Sequence, residues 1–335
     1  MHIPLVRAEH LNVYLGVLRE IGEPVDRALD QAGLPGSVEE NPNAYLHVPR
    51  VLECVSACGG HHPAMHFGFL AAQRMSLQSL RPETQIAFLN APSGRMRLEA
   101  MVRRCMFEDS ALVGNVVEEG RNLRVHCDMV GFEESPALAY SEWIQIYAFI
   151  SAVRSIAGAG WCPTEITLAS GGKPSVAAYA ALPNTRILLG QPHCSILVSI
   201  KMLAGPCTQS VVPPSQSAQD PSPRPSAWTY GVGLREMLKP YMCDAPLDLP
   251  EVAEMLGTTT RTLQRRLRRE GMTFRQVLDE TRYEIACSCL ADQDMKIIDV
   301  AFATGYENPQ HFTRAFRRLA GISPRDYRKC RVYAG

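Results

Sequence analysis

The sequence predicts an α+β amino-terminal domain followed by an all-α carboxy-terminal domain that contains two helix-turn-helix units. Three observations predict it. A Pro/Ser-rich segment divides the chain, apolar spacing in the first part switches between helical and strand periods, and the last hundred residues carry one helix-glycine-helix pattern twice. A composition of 46% hydrophobic and 20% charged residues excludes global disorder.

In chain order, helix-period segments come first, around residues 11–32, 48–57 and 85–89. The stretch SALVGNVVEEGRNLRVHCDMV, residues 110–130, alternates apolar and polar residues on both sides of a Glu-Gly turn signal, as a β-hairpin does. Residues 136–157 read as a long amphipathic helix, and TEITLAS (164–170) and CSILVSIKML (194–203) as two further strands. Together these imply a mixed sheet with helices packed on it. Residues 207–230 read CTQSVVPPSQSAQDPSPRPSAWTY, with five prolines from Pro213 to Pro225 and few large apolar side chains. Such a segment buries too little surface to offset its ordering entropy, so a linker is expected over 208–230, between domains at 1–207 and 231–335.

No run of 18 apolar residues occurs, and the amino terminus acquires charge every few residues, so neither a membrane span nor an export signal is expected. The eleven cysteines are irregularly spaced without any C-x-x-C, which reads as reduced thiols in the cytosol. The 34 basic and 34 acidic side chains cancel, and from Asp244 to Gly335 the balance is only 15 to 13. Their clustering is more telling. Residues 261–269 hold five arginines and no acid, and residues 311–331 hold seven Lys and Arg against Asp326 alone.

The repeat lies in LPEVAEMLGTTTRTLQRRLRREG and IIDVAFATGYENPQHFTRAFRRLAG. Ala253 precedes Gly257 by four residues, and Ala301 precedes Gly305 by the same four, 48 residues downstream. One extra residue in the second turn then aligns Leu263, Arg265, Leu267, Arg268 and Arg269 with Phe312, Arg314, Phe316, Arg317 and Arg318. A small alanine lets the second helix of each unit cross closely, and glycine permits the positive φ of a short turn. Thr258 or Thr259 caps the first unit's second helix, Asn308 with Pro309 caps the second unit's, and Ser323-Pro324 with Asp326 opens a last helix. At about 100° per residue, Leu263 with Leu267 and Phe312 with Phe316 form buried stripes, and the arginines fan across the opposite faces.

An arginine-rich helix face is often only solvated surface. Here the first basic face has no acidic neighbour before Glu270 to form the i,i+4 pairs of such a surface, and the pattern recurs. A helix about 10–12 Å across fits the major groove of B-DNA, where arginine pairs with guanine edges and Gln or Asn with adenine. Residues of about 237–331 resemble the DNA-binding domain of AraC/XylS-type transcription regulators, with a linker helix near residues 274–290. The closing DVAFATGYENPQHFTRAFRRLAGISPRDYRK matches that family's signature over nearly its whole length.

The resemblance implies two recognition helices in successive major grooves, roughly 34 Å apart on one face of the DNA. It places Thr260, Arg261, Gln264, Arg265 and Arg268 of the first unit on DNA, with Asn308, Gln310, His311, Arg314, Arg317 and Arg318 of the second; Thr273, Arg275 and Ser323 add phosphate contacts. It further implies a cytoplasmic, nucleoid-associated, effector-responsive activator whose partners are double-stranded promoter DNA, RNA polymerase, a small molecule and a second copy of the chain.

The first two hundred residues resemble the arabinose-binding type of regulatory domain of ornithine-utilisation-type members, which implies ligand sensing or dimerisation. That resemblance rests on element order and on LPNTRILLGQPHCSILVSIKMLAGP, and transfers no ligand-contacting residue. Cys54, Cys58, His61, His62 and His66 offer zinc-type ligands but equally suit buried thiols and a polar turn. ASGGKPS and the Gly158–Gly160 run lack the spacing of nucleotide-binding loops. Met96, Met101, Trp143 and Trp161 suit core packing or an apolar pocket. No catalytic residue, metal or cofactor is expected; the alternatives are an enzyme or metal sensor fused to a DNA-binding module, and a protein-interaction scaffold.

Overall fold

The computed structural model describes residues 2–205, 207, 228–243 and 247–332. The chain divides into two compact units, one within Pro4–Pro225 and the other within Ser226–Gly335 together with Met1–Ile3. Of the expected linker, residues 208–227 lie outside the described residues; Trp228 and Tyr230 at its end are buried, and a helix opens at Tyr230. No described helix is long and apolar enough to cross a membrane.

The amino-terminal unit is α+β. β1 (Leu5–Arg7) leads into α1 (Ala8–Glu20), and β2 (Tyr45–His47), antiparallel to β1, leads into α3 (Val48–Gly59). The single helical segment expected over 11–32 is two, because Gly22 at φ +81° and Pro24 separate α1 from α2 (Val25–Gln31). α4 (Ala64–Ala72), α5 (Pro82–Asn90) and α6 (Gly94–Glu108) follow. The expected hairpin is β3 (Leu112–Glu119) and β4 (Asn122–Met129), turning at Gly120, and the expected long helix is α7 (Leu138–Ala157).

Next come β5 (Glu165–Thr167), α8 (Val176–Ala181), β6 (Arg186–Leu188), β7 (Ser195–Ser199) and α9 (Ile200–Leu203). The strand expected through residue 203 thus stops at Ser199. The sheet order is β3-β4-β7-β5-β6, mixed because β5 and β6 are parallel. Alternate residues Leu123, Val125, Cys127 and Met129 of β4 face the core. α7 packs against α4 as well as the sheet and is therefore apolar on nearly every side, with Trp143 fully buried and edge-on to Phe69 at 5.1 Å.

Polar groups tie the ends of α6 and β1 together. The buried Glu108 carboxylate accepts from Arg7 at 2.7 Å, from the Arg81 N–H and from the Thr84 hydroxyl. Its neighbour Asp109 is also buried, and its carboxylate accepts the Ala111 N–H at 2.8 Å. Burial pushes the Asp109 carboxyl up to about 7, against the smaller opposing pull of that N–H.

A carboxyl whose folded pKa lies above its unfolded value binds more protons when folded. Its contribution to stability is therefore complete below about pH 4 and is lost as pH rises through about 7. Asp109→Asn, which keeps an acceptor for Ala111, is expected to raise the melting temperature by several degrees at pH 8 and by much less at pH 5. Thermal unfolding of both proteins at the two pH values checks this.

Candidate nucleic-acid interface

The carboxy-terminal unit is all-α. α10 (Tyr230–Leu238) and a 3-10 turn at Lys239–Tyr241 precede α11 (Leu249–Met255), α12 (Thr260–Arg269), α13 (Phe274–Cys289), α14 (Ile297–Ala303), α15 (Pro309–Ala320) and α16 (Pro324–Val332). α11 with α12, and α14 with α15, form the two helix-turn-helix units.

The two turns close with the same hydrogen bonds. In the first, Gly257 N–H donates to Glu254 O at 2.9 Å and Thr258 N–H to Ala253 O at 2.9 Å; in the second, Gly305 N–H donates to Phe302 O at 2.9 Å and Tyr306 N–H to Ala301 O at 3.0 Å. These bonds reverse the chain through a left-handed residue, and Gly257 and Gly305 supply it at φ +58° and +74°. The registers then separate by one residue. Thr259, not Thr258, caps α12 by accepting the Thr262 N–H, whereas Asn308 caps α15 by accepting the Gln310 N–H at 2.8 Å.

Each second helix is seated by its apolar stripe. Leu263 and Leu267 of α12 are fully buried, as are Val252 and Ala253 of α11 beneath them. Phe312 and Phe316 of α15 are buried in a ring cluster in which Tyr283, Tyr306 and Tyr327 lie 5.3–5.9 Å from one phenylalanine or the other. This burial decides which faces of α12 and α15 meet water.

On the water-facing side lie Arg261, Gln264, Arg265, Arg268 and Arg269 of α12, all exposed, with Thr260 half-buried at its start. Gln310, His311, Arg314, Arg317 and Arg318 of α15 are likewise exposed. Among the described residues, Arg261, Arg265, Arg268, Arg269, Arg314 and Arg317 make no ion pair. Three acids near α12 are committed elsewhere. Glu270 turns back to accept the Tyr230 and Gly231 N–H groups that open α10, at 2.6 and 2.8 Å. Glu280 and Glu284 of α13 meet Arg235, and Glu284 also meets Lys239.

Four expected contributors have other work. Arg318 pairs with Asp279 at 2.8 Å, which pins α15 to α13; the Asn308 side-chain oxygen is occupied by its cap; and Thr273 and Ser323 cap α13 and α16 through their hydroxyls. Arg266 stacks over the Tyr230 ring at 5.3 Å and so leaves the exposed face. Arg269 is the exposed arginine that the family pattern passes over, although its charge and position on the helix are plain in the sequence.

The remaining candidate groups in the first unit do not converge on chemistry. Cys54 and Cys58 are buried on α3; burial, and then Cys58 beside it, pushes the Cys54 thiol up to about 12. Trp143 is core, Met96 is exposed and Trp161 is half-buried. Met101 lines a small cavity of about 30 Å³.

Comparison with known proteins agrees with this geometry. Residues 252–330 match the family model for a helix-turn-helix domain. The chain is 25% identical to the HTH-type transcriptional regulator VirS of Mycobacterium tuberculosis, covering 97% of this chain and 96% of that protein. Over 29% of this chain and 28% of the relative it is 35% identical to the ornithine utilization regulator of Pseudomonas aeruginosa. Both relatives are transcriptional regulators rather than enzymes. Among solved structures, the transcriptional regulator CdpR of Pseudomonas aeruginosa superposes with a TM-score of 0.42 at 20% identity, covering 91% of this chain and 96% of that one.

The turns give a direct comparison of the two units. A Cβ added at Gly257 meets nothing, whereas one at Gly305 comes within 2.4 Å of the Met242 carbonyl oxygen. Gly257→Ala is expected to cost about 1–2 kcal/mol for the left-handed backbone alone. Gly305→Ala adds a collision with backbone and is expected to cost more. Denaturant unfolding of the two variants checks the order; equal losses contradict it.

Proposed function

We propose that this chain, a DNA-binding transcriptional regulator of the AraC family, reads promoter DNA by laying α12 and α15 in successive major grooves. The observation that supports the reading most is the recurrence of one hydrogen-bonded turn that presents, in both units, an exposed arginine face, on which only Arg318 among the described residues has an acidic partner. Thr260 and Gln264 in the first unit, with Gln310 and His311 in the second, lie near the helix starts, where side chains reach base edges. Arg261, Arg265, Arg268, Arg314 and Arg317 supply phosphate attraction. Arg318 joins them at the expense of its pair with Asp279, and the free amide nitrogen of Asn308 donates while its oxygen caps the helix.

In this proposal residues 1–207 form a ligand-sensing or dimerisation domain and 208–230 a linker, and the chain acts in the cytoplasm on the nucleoid. Effector binding stabilises the arrangement of domains or subunits that engages the promoter and RNA polymerase productively, a shift between existing populations that results in activation.

Duplexes selected from a random pool, then footprinted with hydroxyl radicals, test the two-groove reading. Two protected half-sites about ten base pairs apart on one face are expected. Arg265→Ala is expected to weaken all sequences alike and to reduce the dependence of log K on log salt by about one. Gln264→Ala is expected to relax preference at one base position, at a cost of about 1–3 kcal/mol. Salt-insensitive binding, or a single protected half-site, contradicts the proposal.

A further inference from the structure

The amino-terminal unit contains a chamber that DNA reading does not use. A cavity of about 250 Å³ lies where α7 meets β4 and the segment before β7, with Asp128, Glu133, Glu142, Gln145 and His193 among its polar walls and Met129, Leu138 and Pro192 among its apolar ones. Among the described residues, no lysine or arginine lines it. Its volume is below the ~300–1,000 Å³ of pockets for drug-sized ligands, a size that suits a small metabolite.

Glu142 and Gln145 share one face of α7, three residues apart. Glu142 is 1% exposed; its carboxylate accepts the Ala169 N–H at 2.5 Å and the Ser170 N–H at 3.2 Å, and among the described residues it has no cationic partner. Asp128 accepts the Cys194 N–H and lies 2.9 Å from His193 Nδ1, and Glu133 accepts the Gly131 N–H. Burial, with Asp128 on the same wall, pushes the Glu142 carboxyl up, so its charged form is disfavoured and a cation placed in the chamber would favour it.

Gln145 supplies an independent sign of a ligand. It is 6% exposed, and among the described residues its side-chain amide has no hydrogen-bond partner. It lines this chamber and two smaller cavities beside it, of about 40 and 30 Å³. The amide is open to the chamber, so a polar ligand group can pair with it without displacing a protein partner. Among the described residues no group of three His, Cys, Asp or Glu is placed to hold a metal ion, which directs the choice to an organic cation.

We propose that this chamber binds a small organic cation with an apolar body, its primary ammonium group against Glu142 and Asp128 and a polar group on Gln145. As an effector site it rests on the sensing role proposed above; as a binding site it stands alone.

Calorimetric titration of the full chain with n-butylamine and 1,4-diaminobutane, against n-butanol and butyrate, tests it near neutral pH. Saturable amine binding at least roughly tenfold tighter than that of the alcohol or the carboxylate is expected. Glu142→Gln, which keeps an acceptor for Ala169, and Gln145→Leu are each expected to weaken the amine by roughly tenfold or more. Amine and alcohol binding alike, no saturable amine binding, or amine affinity unchanged in the folded variants overturns the proposal. Should one variant fail to fold, the other and the wild-type amine-to-alcohol ratio decide. DNA protection without amine binding overturns the cation site alone; amine binding without DNA protection upholds it and overturns the two-groove reading.

Discussion

The carboxy-terminal unit depends on how a helix is turned around in four or five residues. At Ala253 and again at Ala301, a carbonyl accepts the N–H of the residue five positions on, and this closes only if the residue between them, Gly257 or Gly305, adopts a positive φ. The turn fixes the direction of the next helix, the capping residue fixes where that helix starts, and the start fixes which residues fall on the buried stripe. In the second unit the constraint is tighter, because Gly305 also lets the Met242 carbonyl approach where any side chain would collide.

Seating α12 and α15 by two leucines and two phenylalanines turns their arginines to water, and among the described residues only Arg318 of these exposed arginines meets an acid, Asp279. A solvated helix would carry such partners one turn away. Three acids near α12 serve the scaffold instead: Glu270 caps α10, and Glu280 and Glu284 hold Arg235 and Lys239. Apart from the Arg318–Asp279 pair, the exposed arginines of both faces are uncompensated among the described residues, although the whole chain is neutral. Phosphate attraction of this kind is local, and the screening length at physiological salt, about 8 Å, keeps distant acids from cancelling it.

The helix-turn-helix units were legible in the sequence because their determinants are local: a small residue, a glycine, a cap and a four-residue apolar period. The partners of two arginines were not legible for the same reason, since neither the Tyr230 ring over which Arg266 stacks nor the Asp279 that pairs with Arg318 is near in sequence. In the amino-terminal unit the hairpin and α7 were readable, but β1, β2 and β6 have three residues each, too few to show a period. α6 was hidden by its charges. Arg97, a buried residue on it, lies over the Phe88 ring and donates to the Leu89 and Ala91 carbonyls, so a residue that looks solvent-facing occupies a core position. The chamber at Gln145 had no signal at all, because Asp128, Glu142 and His193 meet only through the fold of the sheet.

The central claim is that both basic faces act together on one side of the double helix. Affinity for a selected duplex, measured as five base pairs are inserted between its half-sites and then five more, tests it most directly. Five pairs place the half-sites on opposite faces of the DNA, and ten restore the face but lengthen the span by about 34 Å. The account predicts that the five-pair insertion reduces binding to that of one half-site alone, and that the ten-pair insertion does not recover it, because the span between α12 and α15 within the folded unit is fixed by α13. Affinity unchanged by either insertion would show that only one helix reads the DNA.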